Sequence, residues 1–107
     1  MHVIVDNSAG VDAQFADEVA RGLRDRQLDV ETRAPNPSAK FDTAVHLLAS
    51  GLVIRVSERP DRELLTAIED VVRAALQHRS SLRRQTRTVP VYLGESVRAI
   101  EWIDVFA

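Results

Sequence analysis

Apolar positions recur at helical spacing from Asp61 to Arg79, which is the longest periodic stretch in the chain. The opposite side of this stretch is charged, so the pattern predicts an amphipathic helix lying on an apolar surface. The apolar stripe consists of Leu64, Leu65, Ile68, Val71, Val72, Ala75 and Leu76. Short runs rich in valine and isoleucine can supply that surface as a sheet, and they lie at Val3–Val5, Leu52–Val56 and Val89–Leu93.

The N-terminal third predicts a strand, a helix and a second strand. β-branched residues favour a strand at His2–Asp6, covered on both faces. Asp12 is suited to cap a helix that runs from Ala13 to about Arg26. Gly22 within this helix costs about 1 kcal/mol relative to alanine, so it indicates a place where another backbone comes close. Leu28–Arg33 alternates weakly and is polar, which predicts a strand near an edge.

The segment Phe41–Gly51 fits two structures. It reads as a helix that ends at Gly51, because its apolar positions share one helical face. The alternative is a strand, Thr43–Ala49, joined to Leu52–Val56 by a tight turn at Ser50–Gly51. The helix is preferred because the segment does not alternate between apolar and polar residues.

The C-terminal third predicts a hairpin. Ser80–Arg87 is a polar connector, and strands at Thr88–Leu93 and Val97–Phe106 flank a turn at Gly94–Ser96. Pro90 pushes its strand toward an edge or a bulge. The whole order predicts an α+β fold in α/β layers. It comprises a single mixed sheet of four or five strands, two or three flanking helices and a C-terminal antiparallel hairpin.

Composition narrows the class of protein. A chain of 107 residues predicts one globular domain spanning 1–107, and the absence of cysteine excludes disulfides and thiolate metal sites. A net charge of −2 argues against a dedicated nucleic-acid binder. No signal-peptide pattern or membrane-length apolar run occurs, so we expect a cytoplasmic protein without membrane contact. Arginine replaces lysine almost throughout, which is typical of a GC-rich bacterial genome.

Polar residues at two strand ends form a candidate ligand loop. These are Asp6, Asn7 and Ser8 after the first strand, and Ser57 and Glu58 after the third. If the two strands are parallel neighbours, the residues meet where open α/β sheets bind ligands. The glycine spacings of phosphate-binding loops are absent, however, and a turn followed by a helix cap is the preferred explanation of the first group.

One cationic stretch and two aromatic residues are candidates for partner binding. The stretch consists of Arg79, Arg83, Arg84 and Arg87, which no acidic residue interrupts. It can bind phosphates or an acidic partner, or it can be a solvated loop after a helix C-terminus. Tyr92 and Trp102 lie in the hairpin, where exposure would favour an interface or a homodimer seam and burial would place them in the core.

No spacing typical of a catalytic group or a metal site occurs. The histidines are scattered, and HExxH and clustered carboxylates are absent. The sequence therefore predicts no catalytic residues, no metal and no cofactor.

Three stretches together resemble the effector-associated constant component domains of bacterial conflict systems. They read HVIVDNSAGVDAQFADEVARGLRD, AALQHRSSLRR and TVPVYLGESV, while Leu52–Val56 has no counterpart in that pattern. The resemblance implies a small α+β adaptor that pairs with effectors and has no catalytic residues of its own. A second resemblance is to Toll/interleukin-receptor-like domains, carried by Asp17–Arg26, LVIRVSE and TVPVYLG. No catalytic glutamate in the context of that family is identified.

The first functional hypothesis is therefore a small non-catalytic interaction or adaptor domain acting through protein–protein contacts, which include self-association. A small nucleotide-binding or Toll/interleukin-receptor-like domain and an immunity-type partner of a toxin are the alternatives.

Overall fold

A computed structural model describes residues 2–9, 12–36 and 51–105 of the chain. The elements are β1 (His2–Asp6), α1 (Ala13–Arg24), β2 (Asp29–Arg33), β3 (Val53–Val56), α2 (Arg62–Leu76), α3 (Ser80–Gln85), β4 (Thr88–Leu93) and β5 (Ala99–Asp104). The alternative structures expected for Phe41–Gly51 fall almost wholly outside the described residues.

The strands form one mixed sheet in the order β2-β1-β3-β4-β5, which confirms the predicted α+β fold. β1 pairs parallel with β2, and β3 pairs parallel with β4. α1 joins the strands of the first pair, and α2 and α3 join those of the second, since parallel strands need a long crossover connection. The two units meet where β1 runs antiparallel to β3, and β4 and β5 close the sheet as an antiparallel hairpin.

The predicted long helix covers one face of the sheet together with α1. α2 buries Leu64, Ile68, Val71, Val72, Ala75 and Leu76, which belong to the stripe predicted from the periodicity. The Asp61 carboxylate caps its first turn by accepting a hydrogen bond from the Leu64 N–H at 2.8 Å. From β1, Val3 and Val5 contribute to the same core with no exposed surface. The helix is therefore held in place by burial on the sheet and by its cap.

Gly22 marks a close approach between the two long helices. A Cβ atom at this position would lie 2.7 Å from Cγ1 of Val71 on α2. No Cβ atom fits at that distance unless the valine or a helix moves. The position is a close approach, but the neighbour is the Val71 side chain, so the expectation of a neighbouring backbone is wrong.

Several boundaries differ from the sequence expectation. The connector Ser80–Arg87 contains the six-residue helix α3. It escaped the periodicity argument because Leu82 is its only large apolar side chain and is partly buried. β4 is not an edge strand despite Pro90, since it lies between β3 and β5, and a register irregularity follows at Val91/Tyr92. β5 is shorter at both ends than Val97–Phe106. Among the described residues, no helix has the length and apolar composition needed to cross a membrane.

Candidate functional site

The predicted meeting of the two strand-end groups does not occur. β1 and β3 are antiparallel, with Val3 opposite Val56, so the end of β3 lies beside the start of β1. Ser57 accordingly accepts a hydrogen bond from the backbone N–H of His2 at 3.2 Å, and Glu58 is exposed beside it. Asp6 lies at the opposite end of the sheet. The prediction of a ligand site formed by Asp6, Ser57 and Glu58 is therefore wrong.

A polar row crosses the sheet on the face opposite the helices. Asp6 of β1 lies beside Arg33 of β2, and Arg55 of β3 lies beside Tyr92 of β4. The Arg55 Nε donates to the Asp6 carboxylate at 2.8 Å, and both residues are almost fully buried. A nearby Arg33 nitrogen is 3.8 Å from the same carboxylate. Sheet register alone thus brings residues from four strands into one network.

Arg55 also holds the turn of the hairpin. Its Nη1 donates to the carbonyl oxygens of Gly94 and Ser96 at 2.9 and 2.8 Å. The guanidinium lies 4.9 Å from the centre of the Tyr92 ring, within cation–π range. Tyr92 is fully buried and packs with Val53, so it belongs to the core and not to an exposed interface.

Glu95 extends the network into solvent. Its carboxylate receives two hydrogen bonds from the Arg33 guanidinium, the Nη1 bond measuring 3.0 Å. This contact lowers the pKa of Glu95 below its usual range and raises that of Arg33. A polar pocket of about 480 Å³ opens here, lined by Asp6, Ser8, Arg33, Asn36, Arg55, Glu95 and Val97. A carboxylate with a lowered pKa is a poor general acid or base near neutral pH.

The remaining residues of the predicted ligand loop have structural contacts. Ser8 donates its backbone N–H to Asp6 at 2.9 Å, which closes the turn after β1. Asn7 is buried, and its backbone N–H donates to the Arg33 carbonyl at 3.0 Å. Its side-chain oxygen has no hydrogen-bond partner among the described residues. These contacts favour the turn explanation for this segment.

Arg79 connects the two long helices. Its Nη1 donates to Glu18 of α1 at 2.9 Å and to the Ala75 carbonyl at 3.1 Å. Its Nε lies 3.7 Å from Asp12, and its guanidinium is 5.9 Å from the centre of the Phe15 ring. The side chain is only 18% exposed, so most of it is already committed to contacts inside the chain.

Arg83 and Arg84 have the opposite environment. Both are exposed on α3, and neither forms an ion pair with any residue that the structure describes. They border a groove of about 540 Å³, called here the basic groove, which is lined by Arg73, Leu76, Gln77, Ser80, Arg83, Arg84 and Val105. Arg87 is exposed but does not line this groove. Two members of the predicted arginine stretch therefore share one concave surface, and Arg73 of α2 joins them.

Trp102 lies on β5, the outermost strand beside β4. It is 38% exposed and faces away from the helices, while Ile103 on the other face is buried in the core. The core interpretation of Trp102 is therefore wrong. The condition set for an interface interpretation, an exposed aromatic on the hairpin, is met by Trp102 and not by Tyr92.

Sequence reasoning missed three residues of these surfaces, which are Arg33, Arg55 and Arg73. Arg55 carried a usable signal, because a lone charge inside the apolar run Leu52–Val56 requires a buried partner. Arg73 carried none, since it sits on the charged side of α2, where its Nη2 pairs with Glu69 at 2.8 Å. Within the described ranges, no cluster of histidines and carboxylates is arranged to hold a metal ion.

Comparison with protein-family models, with curated proteins and with solved structures finds no match to this chain.

Proposed function

We propose that the protein is a small non-catalytic interaction domain that binds an acidic segment of another protein in the basic groove. The observation that carries this proposal is the pair of exposed guanidiniums on α3, Arg83 and Arg84, which have no carboxylate partner among the described residues. The floor of the groove is apolar, because Leu76 and Val105 line it. An acidic segment with one or two apolar side chains complements both features.

The two arginines of α3 differ from several other arginines in having no internal carboxylate partner among the described residues. Arg33, Arg55 and Arg79 each donate to a carboxylate of the chain itself at 2.8–3.0 Å. Such pairs position secondary structure. An arginine fork without an internal partner is instead suited to bidentate binding of an external carboxylate. Arg73 contributes less, because Glu69 already neutralises much of its charge.

The polar pocket at the end of β1 supports a binding role over a catalytic one. Its two guanidiniums are matched by the Asp6 and Glu95 carboxylates, and the Ser8 hydroxyl forms no hydrogen bond to a base within the described part of the chain. A serine without a neighbouring base is a weak nucleophile. The resemblance to the constant component domains of conflict systems agrees with a protein whose work is done through a partner.

The test is a selection of random dodecapeptides displayed on phage against the immobilised protein. We expect enriched peptides to carry several Asp or Glu residues. Their binding should fall at least tenfold in the variant Arg83→Glu/Arg84→Glu and should weaken with salt, because exposed charges are screened over about 10 Å at 0.1 M.

The control is Arg21→Glu/Arg59→Glu, which makes the same change in net charge at two exposed arginines outside the groove. Equal loss of binding in this control would assign the effect to overall charge and would refute the groove. Enrichment of peptides without acidic residues would refute the partner chemistry.

A further inference from the structure

Among the strands that the structure describes, β5 is the last of the sheet, so its outer side is an edge. The Val105 N–H donates to the Arg87 carbonyl at 2.9 Å, and Trp102 lies opposite Pro90 in the register. Backbone groups of an antiparallel strand alternate between its two sides, so Ile103 and Val105 point toward β4. The backbone N–H and C=O of Trp102 therefore point to the free edge. Pro90 agrees with this placement, since it has no N–H to offer.

A groove runs beside this edge, between β5 and α2. It measures about 560 Å³, and its lining includes Leu65 and Ile103. Arg73 spans one end, where its Nη2 pairs with Glu69 at 2.8 Å and reaches the Asp104 carbonyl at 3.3 Å. A strand added to β5 would have alternate side chains in this groove and the others beside Trp102.

The charges of this edge favour one kind of occupant. Three carboxylates line the groove against two guanidiniums, those of Arg62 and Arg73. Glu101 is exposed and forms no ion pair with any other described residue, whereas Glu69 is already paired. Pairing of β5 with β5 of a second copy would set the same excess of carboxylates against itself, which offers no charge complementarity. A basic strand would instead be attracted.

We infer that β5 is a second binding surface, at which an extended basic segment of a partner protein adds to the sheet as a sixth strand. Backbone hydrogen bonds to Trp102 provide the pairing. A Lys or Arg side chain of the segment meets Glu101 in the groove, and an apolar side chain on its other face packs against the Trp102 indole. This is the β-augmentation mode of peptide recognition.

The test uses two octapeptides, one of alternating Val and Arg and one of alternating Val and Glu. Trp102 is the only tryptophan of the chain, so its fluorescence reports binding at this edge directly. We expect the Val/Arg peptide to shift the emission and to slow hydrogen exchange of the Trp102 amide. Binding should weaken at least tenfold in Glu101→Lys and remain unchanged in Glu58→Lys, an exposed glutamate that follows the middle strand β3 and does not line this groove.

The variant Arg83→Glu/Arg84→Glu should bind the Val/Arg peptide as the wild type does, which separates this surface from the basic groove. Three results would overturn the inference. They are failure of the Val/Arg peptide to bind at millimolar concentration, equal binding by Glu101→Lys, and a dimer in sedimentation whose Trp102 amide is protected without peptide.

Discussion

Replacing Arg55 with methionine tests whether the buried ion pair organises the sheet face opposite the helices. The variant keeps an unbranched apolar stem but removes the guanidinium. It leaves the Asp6 carboxylate, which is 1% exposed, with the Ser8 N–H at 2.9 Å and a more distant Arg33 at 3.8 Å. A buried carboxylate that loses its closest cation must bear most of its desolvation cost.

Removing one member of a buried ion pair costs about 3–5 kcal/mol. The Gly94 and Ser96 carbonyls also lose their donor, but they belong to a surface turn where water can replace it, so they add little. Native domains have a free energy of unfolding of about 5–15 kcal/mol, so Arg55→Met should remain folded but be measurably less stable.

The assay is urea denaturation followed by far-UV circular dichroism, with the double variant Asp6→Asn/Arg55→Met completing a mutant cycle. The double variant should be more stable than the sum of the two single losses predicts, by at least about 1.5 kcal/mol, because the second change has no pair left to break. As a control, Arg59→Met at an exposed position should change stability by no more than about 0.5 kcal/mol. A loss below about 1 kcal/mol in Arg55→Met, or strict additivity, would refute the reasoning.

Three further predictions concern other contacts. Gly22→Ala should lower the free energy of unfolding by about 1–2 kcal/mol, because the clash with Val71 outweighs a gain of about 1 kcal/mol in helix propensity. Adding Val71→Ala should remove the clash. Denaturation of both variants checks this, and a stabilised Gly22→Ala would contradict it. Arg79→Met should lower the free energy of unfolding by about 1–2 kcal/mol in the same assay and leave the binding of acidic peptides unchanged. Loss of that binding would show that Arg79 also belongs to the partner-binding surface. Glu95→Gln should reduce stability at neutral pH, because Arg33 lowers the pKa of Glu95 in the folded protein. The contact therefore stabilises the fold above the usual carboxyl pKa, and this stabilisation is lost as pH falls through the lowered pKa. A stability difference between wild type and variant that persists at pH 2 would exclude this cause.

The fold was accessible from sequence wherever one periodicity dominated. α2 follows from its apolar stripe, and Thr88–Leu93 was predicted with the bounds that β4 has. Strand order was not accessible, because the apolar runs of β1 and β3 fit parallel and antiparallel neighbours equally well. That ambiguity produced the wrong grouping of Asp6 with Ser57.

The candidate site was only partly predictable for a different reason. The four arginines of the C-terminal stretch look alike in sequence, and only the fold separates them. Glu18 lies 61 residues from Arg79 in the chain and reaches it because α1 and α2 pack together. No local sequence pattern predicts such a pairing. The exposure of Arg83 and Arg84, in contrast, follows from the composition of α3, which has too few apolar residues to be buried.

The position of β1 between β2 and β3 has a consequence for how the chain acquires its structure during synthesis. One side of β1 can pair with β2 once residues 29–33 have been made, but its other side waits for residues 53–56. In that interval the nascent chain presents an open apolar strand, which is the kind of surface that recruits chaperones or aggregates. The antiparallel seam between β1 and β3 is therefore the step that converts two separate units into one cooperative sheet.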